Sequence, residues 1–182
     1  MSGVRESFTM RGSMMQTQRY QHDRKIWQER VAREHIHRTH LPTSVGFIRN
    51  KEGKVLTVES AVNGHWGVVQ GGIRRGEDPE TGLRREMREE IRLYASEIER
   101  VEGPFLVRRL ATPYRKGFTV GKVYFCFHVF CRGTPKLTLD PRAIRQFEWR
   151  SPCGAWWFQL FVNQPWYKKE LLLEAFDIIE KG

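Results

Sequence analysis

Glu86, Glu89 and Glu90 stand at i, i+3 and i+4, a spacing that puts three carboxylates on one face of a helix. Like charges placed so closely repel and weaken the helix that carries them. A divalent cation removes that repulsion and uses the oxygens. Hard cations such as Mg²⁺ take carboxylate oxygen, keep several waters and hold substrate phosphates. By themselves the three glutamates also fit a solvated charged helix, which is the usual meaning of a Glu-Arg run.

The residues around them narrow the choice. Gly71, Glu77, Arg85, Glu86, Met87, Glu89, Glu90 and Leu93 fall on one longer pattern. It resembles the Nudix box, G-x5-E-x7-R-E-U-x-E-E-x-G-U, where U is a bulky aliphatic residue. At average residue usage, its six strict matches would arise by chance in a chain of this length about once in a hundred thousand. One position departs: the second glycine of the pattern is Arg92 here. That glycine suits the left-handed residue after a helix end. Arginine there costs about 1 kcal/mol if the backbone is kept, so the expectation is a helix that ends differently.

The resemblance implies a set of roles. Glu86, Glu89 and Glu90 are the metal ligands, with Mg²⁺ as the ion and Mn²⁺ as its substitute. Gly71 offers a backbone carbonyl to the metal. Arg85 pairs with acidic neighbours and orients the ligands, and Glu77 supports them from the loop before the helix. The general base is one of these glutamates or an acid outside the box. Glu148, in 146–149 near the C-terminus, is the candidate for that extra acid; an exposed strand residue is its plain alternative. The activity implied is hydrolysis of a nucleoside diphosphate linked to another moiety, by water attack at phosphorus.

A second, less specific resemblance bears on the substrate. Trp66 followed by Gln70, Gly71 and Gly72 resembles the W-x-x-x-Q-G-G segment of RNA 5′-pyrophosphohydrolases and related dinucleoside polyphosphate hydrolases. Gln70, Arg74, Arg75 and Arg115 are the candidate substrate contacts, with Arg108, Arg109 and Lys116 as further basic residues for phosphate or an RNA backbone. Trp156, Trp157 or Phe158 would stack on a base or pack the core. The S-Q-P-W-P-F-P motif of NADH pyrophosphatases is absent. The substrate implied is an RNA 5′-triphosphate end or a (di)nucleoside polyphosphate. The alternatives are a nucleotide-pool-sanitising triphosphate pyrophosphohydrolase and a non-catalytic nucleotide- or RNA-binding module. Retention of every acidic box position speaks against the last.

The elements must now position these residues. Asp78-Pro79 starts a helix with Asp at the N-cap and Pro in the first helical position. Leu83, Met87 and Ile91, at i, i+4 and i+8, form its buried stripe, and the acidic positions lie to one side of it. Gly82 inside this helix costs up to about 1 kcal/mol against Ala, which close packing would explain. Segments 43–49 and 54–60 flank a Gly-containing turn and read as a hairpin. Segment 65–70 is extended and leads into Gly71-Gly72. Segments 106–110, 119–131 and 143–150 are further strands, and the near-continuous apolar run of 119–131 reads as buried. His128 within it is expected to be a satisfied core histidine. Residues 163–165 open a last helix to about residue 180, with Leu171, Leu172, Ala175, Phe176 and Ile179 on its apolar side. The pattern gives an α/β class with a mixed sheet, and the resemblance supplies the Nudix α/β/α sandwich.

Composition sets the bounds. The 182 residues, 40% hydrophobic and 12% aromatic, suit one domain with a sizeable core. No apolar run approaches the 18 or so residues of a membrane span. Cys126, Cys131 and Cys153 are odd in number and lack C-x-x-C spacing, which reads as reduced thiols in a cytoplasmic setting. The net charge of +10 points to an anionic partner, nucleic acid or polyphosphate. Residues 1–19 show no apolar period and are expected to be disordered, either as sequence ahead of a start at Met14 or Met15 or as a targeting segment, so organellar targeting stays open. Residues 20–40 read as a basic amphipathic helical extension carrying Trp27, Val31 and Ile36, with His35, His37 and His40 as surface residues. The resemblance assigns residues 41–182 to a Nudix-type domain. The sequence does not decide oligomeric state.

Overall fold

Period-two alternation assigns the side chains of the central strands to two separate cores. A computed structural model describes residues 40–111, 121–152, 164 and 166–181. In chain order these form β1 (His40–Arg49), β2 (Val55–Ser60), β3 (Trp66–Gly67), β4 (Val69–Gly72), α1 (Pro79–Ile91), β5 (Ile98–Ala111), β6 (Gly121–Cys131), β7 (Ile144–Arg150) and α2 (Trp166–Lys181). Val123, Phe125, Phe127 and Val129 of β6 join Leu83, Met87 and Ile91 of α1 in one core. Tyr124 and Cys126 join Leu171, Ala175, Phe176 and Ile179 of α2 in the other. A strand buried on both faces needs an apolar run rather than alternation, which is what 119–131 carries. The expected helix at 20–38 and the loop at 112–117 lie outside the described residues.

The strands make one seven-stranded mixed sheet. β1 and β6 run parallel, in register from His40–Gly121 to Arg49–Phe130. β5 pairs antiparallel with the other edge of β6. The second edge of β1 is shared. At one end Arg49 pairs with Val55 of β2, and at the other 43–46 pairs with 69–72 of β4. β2 therefore leaves β1 and pairs with β3 and β7 instead. The sheet splits between β2 and β4, and that split is where a cavity can open.

α1 begins as its sequence dictates. The Asp78 carboxylate accepts from the backbone N–H groups of Glu80 and Thr81 at 3.0 and 3.2 Å. The Ser44 hydroxyl donates to the Pro79 carbonyl at 2.5 Å, tying the first turn to β1. Leu83, Met87 and Ile91 are fully buried. A Cβ on Gly82 would lie 3.2 Å from Glu77 Oε2 and 3.4 Å from Ile73 Cγ1, so close packing accounts for that glycine.

The end of α1 corrects the expectation for Arg92. The helix does not end differently: Arg92 itself takes the left-handed cap, at φ 55° and ψ 33°. The Arg92 N–H and the Leu93 N–H, the latter at 3.2 Å, both reach back to the Met87 carbonyl and satisfy that helix-end acceptor. Leu93 is buried against the helix side of the sheet. The cap hydrogen bond and the burial of Leu93 offset the strain of arginine at a glycine position.

His128 is a second correction. It is half-buried on β6, its ring 4.2 Å from that of Phe105. Its Nε2 is buried with no hydrogen-bond partner among the described residues. Burial, helped by Arg49, pulls the imidazole down to about 4, so it is neutral. The rings of Phe105 and Phe130 pack against it.

Candidate active site

Arg85 sits at the centre of the acidic cluster with 9% of its side chain exposed. It donates Nε to Glu77 Oε1 at 2.9 Å and Nη2 to Glu77 Oε2 at 3.0 Å, a bidentate grip. Its Nη1 donates to Glu86 Oε1 at 2.6 Å and to Glu89 Oε2 at 3.2 Å. Nη2 also reaches the Gly72 carbonyl at 2.7 Å. One guanidinium thus fixes the loop before α1, two acidic residues of α1 and the end of β4. The Glu77 hydrogen bonds raise the Arg85 pKa further, against burial. Burial pushes Glu77 upward in turn, but Arg85 and the Arg74 N–H outweigh it and hold its carboxyl below the usual range.

Gly71 is set by close approach. A Cβ built on it would lie 1.9 Å from Glu86 Cδ. The Glu86 carboxylate therefore rests directly on the β4 backbone, which only glycine permits. Gly71 pairs with Ser44 of β1, and the same β1 residue holds Pro79 of α1. Strand, helix start and carboxylate are registered through one serine.

Glu90 stands apart from the Arg85 network. It lines a cavity of about 150 Å³ with Gln70, Ser60, His65, Gln164 and Lys168, inside the split of the sheet. Burial, then the charges of Glu86, Asp140 and Glu89, push its carboxyl up to about 7. Asp140 arrives by backbone docking. Its N–H donates to the Glu90 carbonyl at 2.8 Å, and Thr138 N–H donates to Ile91 at 3.2 Å, satisfying helix-end acceptors. Arg142 holds the Asp140 carboxylate and lowers it to about 2. Among the described residues, no three acidic, histidine or cysteine side chains form a ready-made metal cage; Arg85 occupies oxygens of Glu86 and Glu89.

The pattern read from the sequence now has a matching geometry, and comparison with known proteins decides the family. The NUDIX domain model matches residues 39–169. The chain belongs to the Nudix family. It is a Nudix hydrolase, an enzyme of phosphoanhydride bonds. Three solved structures share its fold. The MutT protein of Methanosarcina mazei Go1 is 17% identical, with 80% of this chain and 98% of that one covered at a TM-score of 0.53. The E. coli dihydroneopterin triphosphate pyrophosphohydrolase is 12% identical, with 75% and 96% covered at 0.52. A C. elegans Ap4A hydrolase binary complex is 14% identical, with 77% and 99% covered at 0.56. No curated protein matches the chain.

Within the Nudix site the other expected residues separate. Gln70 lines the cavity with Glu90. Arg74 bonds Glu89 Oε1 at 3.3 Å and is largely exposed. Arg75 is exposed in the same loop. Arg115, Lys116, Trp156, Trp157 and Phe158 lie outside the described residues. Arg108 pairs with Glu174 at 2.9 Å, and Arg109 Nε bonds His40 Nε2 at 2.8 Å. Both are on β5, across β6 and β1 from the cavity.

Glu148 is not brought to the cluster. It pairs in register with Thr57 on β2, and its carboxylate is bound by Arg150. Phe147 and Trp149 pack on the core that α1 shares, so Glu148 between them faces the opposite side of the sheet. The residues missed by sequence reasoning are Asp140, Gln164 and Lys168. Asp140-Pro141 repeats the Asp-Pro turn chemistry of Asp78-Pro79, which was a signal available in the sequence.

Proposed function

We propose that this Nudix hydrolase is a divalent-metal-dependent pyrophosphohydrolase that cleaves a phosphoanhydride bond by water attack, on an RNA 5′-triphosphate end or a (di)nucleoside polyphosphate. The observation that carries the reading is the Arg85 array, which holds Glu77, Glu86 and Glu89 beside a cavity that Glu90 lines. The donors suit a hard cation, because all are carboxylate or carbonyl oxygens and Glu86 lies in the space that a Gly71 Cβ would fill. Glu86, Glu89 and Glu90, with the Gly71 carbonyl, would hold Mg²⁺ or Mn²⁺. A bound divalent ion neutralises phosphate oxygens and lowers the pKa of the attacking water.

The protein's own groups do the rest. Arg85 and Glu77 fix the direction of the carboxylates, an orienting role worth about tenfold to a hundredfold in metal affinity. The proton of the attacking water goes to one of the box carboxylates, and Glu90 is the one that lines the cavity. Glu148 carries no step in this reading, since Arg150 holds it on the other face of the sheet.

Support for an RNA end comes from the Trp66 to Gly72 segment, the exposed Arg74 and Arg75, and the net charge of +10. Buried free Cys126 and Cys131 suit a cytoplasmic setting. No helix among the described residues is long and apolar enough to cross a membrane. A cavity that brings Gln70 and Glu90 together also serves a free nucleotide, which makes triphosphate sanitation the second reading. Side-by-side assays with 5′-triphosphorylated RNA, diadenosine polyphosphates and free nucleoside triphosphates separate the two. Turnover of RNA that falls in high salt, with triphosphate turnover unchanged, supports the RNA end. Turnover of free triphosphates alone rejects it.

A further inference from the structure

α1 carries a third face besides its buried stripe and its acidic side. Arg84 and Arg88 stand on it at i and i+4, where like charges repel. Arg84 is held by Glu80, with Nε and Nη2 donating to Oε1 at 3.0 and 2.9 Å. Arg88 is exposed and pairs with no carboxylate among the described residues. Just past the helix, Tyr94 is 49% exposed. Its backbone is fixed on both sides. The Tyr94 N–H donates to Glu97 Oε2 at 3.0 Å, and its carbonyl accepts from the Glu97 N–H at 3.0 Å. Arg84, Arg88 and Tyr94 line one open groove of about 320 Å³, with Leu93 and Ile98 supplying apolar surface. Arg85 lines it too, and the same guanidinium holds Glu86 and Glu89. The groove thus flanks the acidic cluster, and no acidic residue among the described ones lines it.

The groove selects by chemistry. Two arginines on a helix would by themselves be a solvated charged face. A half-exposed ring on a fixed backbone, beside an arginine and over apolar surface, asks for a ligand with both an anion and a flat face. Single-stranded RNA offers both, phosphate to the guanidinium and a base to the ring. A duplex keeps its base faces stacked and offers phosphate alone. An acidic peptide matches the arginine and leaves the ring without a partner.

We infer that this groove binds single-stranded RNA, the strand that follows the 5′ end, with a phosphate on Arg88 and a base stacked on Tyr94. The inference rests on the RNA reading above and extends it from the reacting end to the rest of the strand. Arg88 and Tyr94 line a different space from the cavity that Glu90 lines, so they bind the strand and touch no reacting atom.

The test is fluorescence anisotropy of the full chain with a labelled 5′-hydroxyl RNA of mixed sequence, about ten nucleotides long. That probe has no anhydride, so binding is read without turnover. Tyr94→Ala weakens binding about tenfold, Tyr94→Phe keeps it, and neither changes the salt dependence. Arg88→Gln weakens binding and lowers the slope of log K against log salt by about 0.7, the share of one phosphate contact on a single strand. If Tyr94→Ala does not fold, Arg88→Gln, at an exposed position, decides by its slope. Wild-type affinity in both Tyr94→Ala and Arg88→Gln overturns the inference. So does duplex RNA of the same length, or an oligoglutamate peptide, bound as tightly as the single strand. The substrate reading fails separately. Binding that depends on Arg88 and Tyr94 without hydrolysis of 5′-triphosphorylated RNA rejects that reading and keeps the groove. Hydrolysis whose KM neither variant moves keeps the reading and rejects the groove.

Discussion

Arg85 grips Glu77 through both carboxylate oxygens, at 2.9 and 3.0 Å, although eight residues and the start of a helix separate them. Both side chains are nearly buried. Loss of one partner leaves the other charge buried and uncompensated. Arg85→Ala is therefore expected to lower folding stability by about 3 kcal/mol, with Arg85→Lys not restoring the bidentate geometry. Urea unfolding measures this. A loss below about 1 kcal/mol would show that the pair is not structural.

The same pair gives a pH dependence. The Glu77 carboxyl is held below its usual value in the folded chain. A depressed folded pKa adds stability that is present above the unfolded pKa, about 4.3. That stability is lost as pH falls through the folded value. Wild type should lose more stability than Glu77→Gln as pH falls from about 5 to 3. Parallel melting curves for the two proteins across that window would contradict the assignment.

Gly71→Ala places a methyl group where the Glu86 carboxylate lies. The carboxylate must move by an ångström or more. Displacement of that size at a reacting centre costs about a hundredfold in rate. The expected result is a folded protein with turnover reduced by that order, read by steady-state kinetics and circular dichroism together. Unchanged turnover would mean that Glu86 has freedom the structure does not show.

Arg92→Gly removes the strain of a left-handed non-glycine cap. Stability should rise by up to about 1 kcal/mol with turnover unchanged, because Arg92 is exposed and touches no box carboxylate. A fall in stability would place a favourable arginine contact at this cap.

Local spacing made the acidic cluster legible. Asp78, Pro79, Leu83, Met87 and Ile91 fix the helix and its facing within a few turns, so Glu86, Glu89 and Glu90 could be placed from sequence alone. Arg92 was harder, because its cost is local while its compensation, the burial of Leu93, is tertiary. The Asp-Pro pair at 140–141 signalled a turn but not its neighbour in space, and Gln164 carried no such signal. Backbone bonds to Glu90 and a side-chain bond to Trp66 bring them in across 50 and 98 positions. Glu148 could have been placed better: alternation with Phe147 and Trp149 sends it to the other face.

The central claim is that Glu89 and Glu90 serve a divalent ion in phosphoanhydride hydrolysis. Its most direct test is phosphate or pyrophosphate release with Mg²⁺ from Glu89→Gln and Glu90→Gln, beside wild type with and without chelator. The account predicts release by wild type that chelator abolishes, and a loss of at least about a hundredfold in each variant. Release that is unchanged in both variants would contradict it.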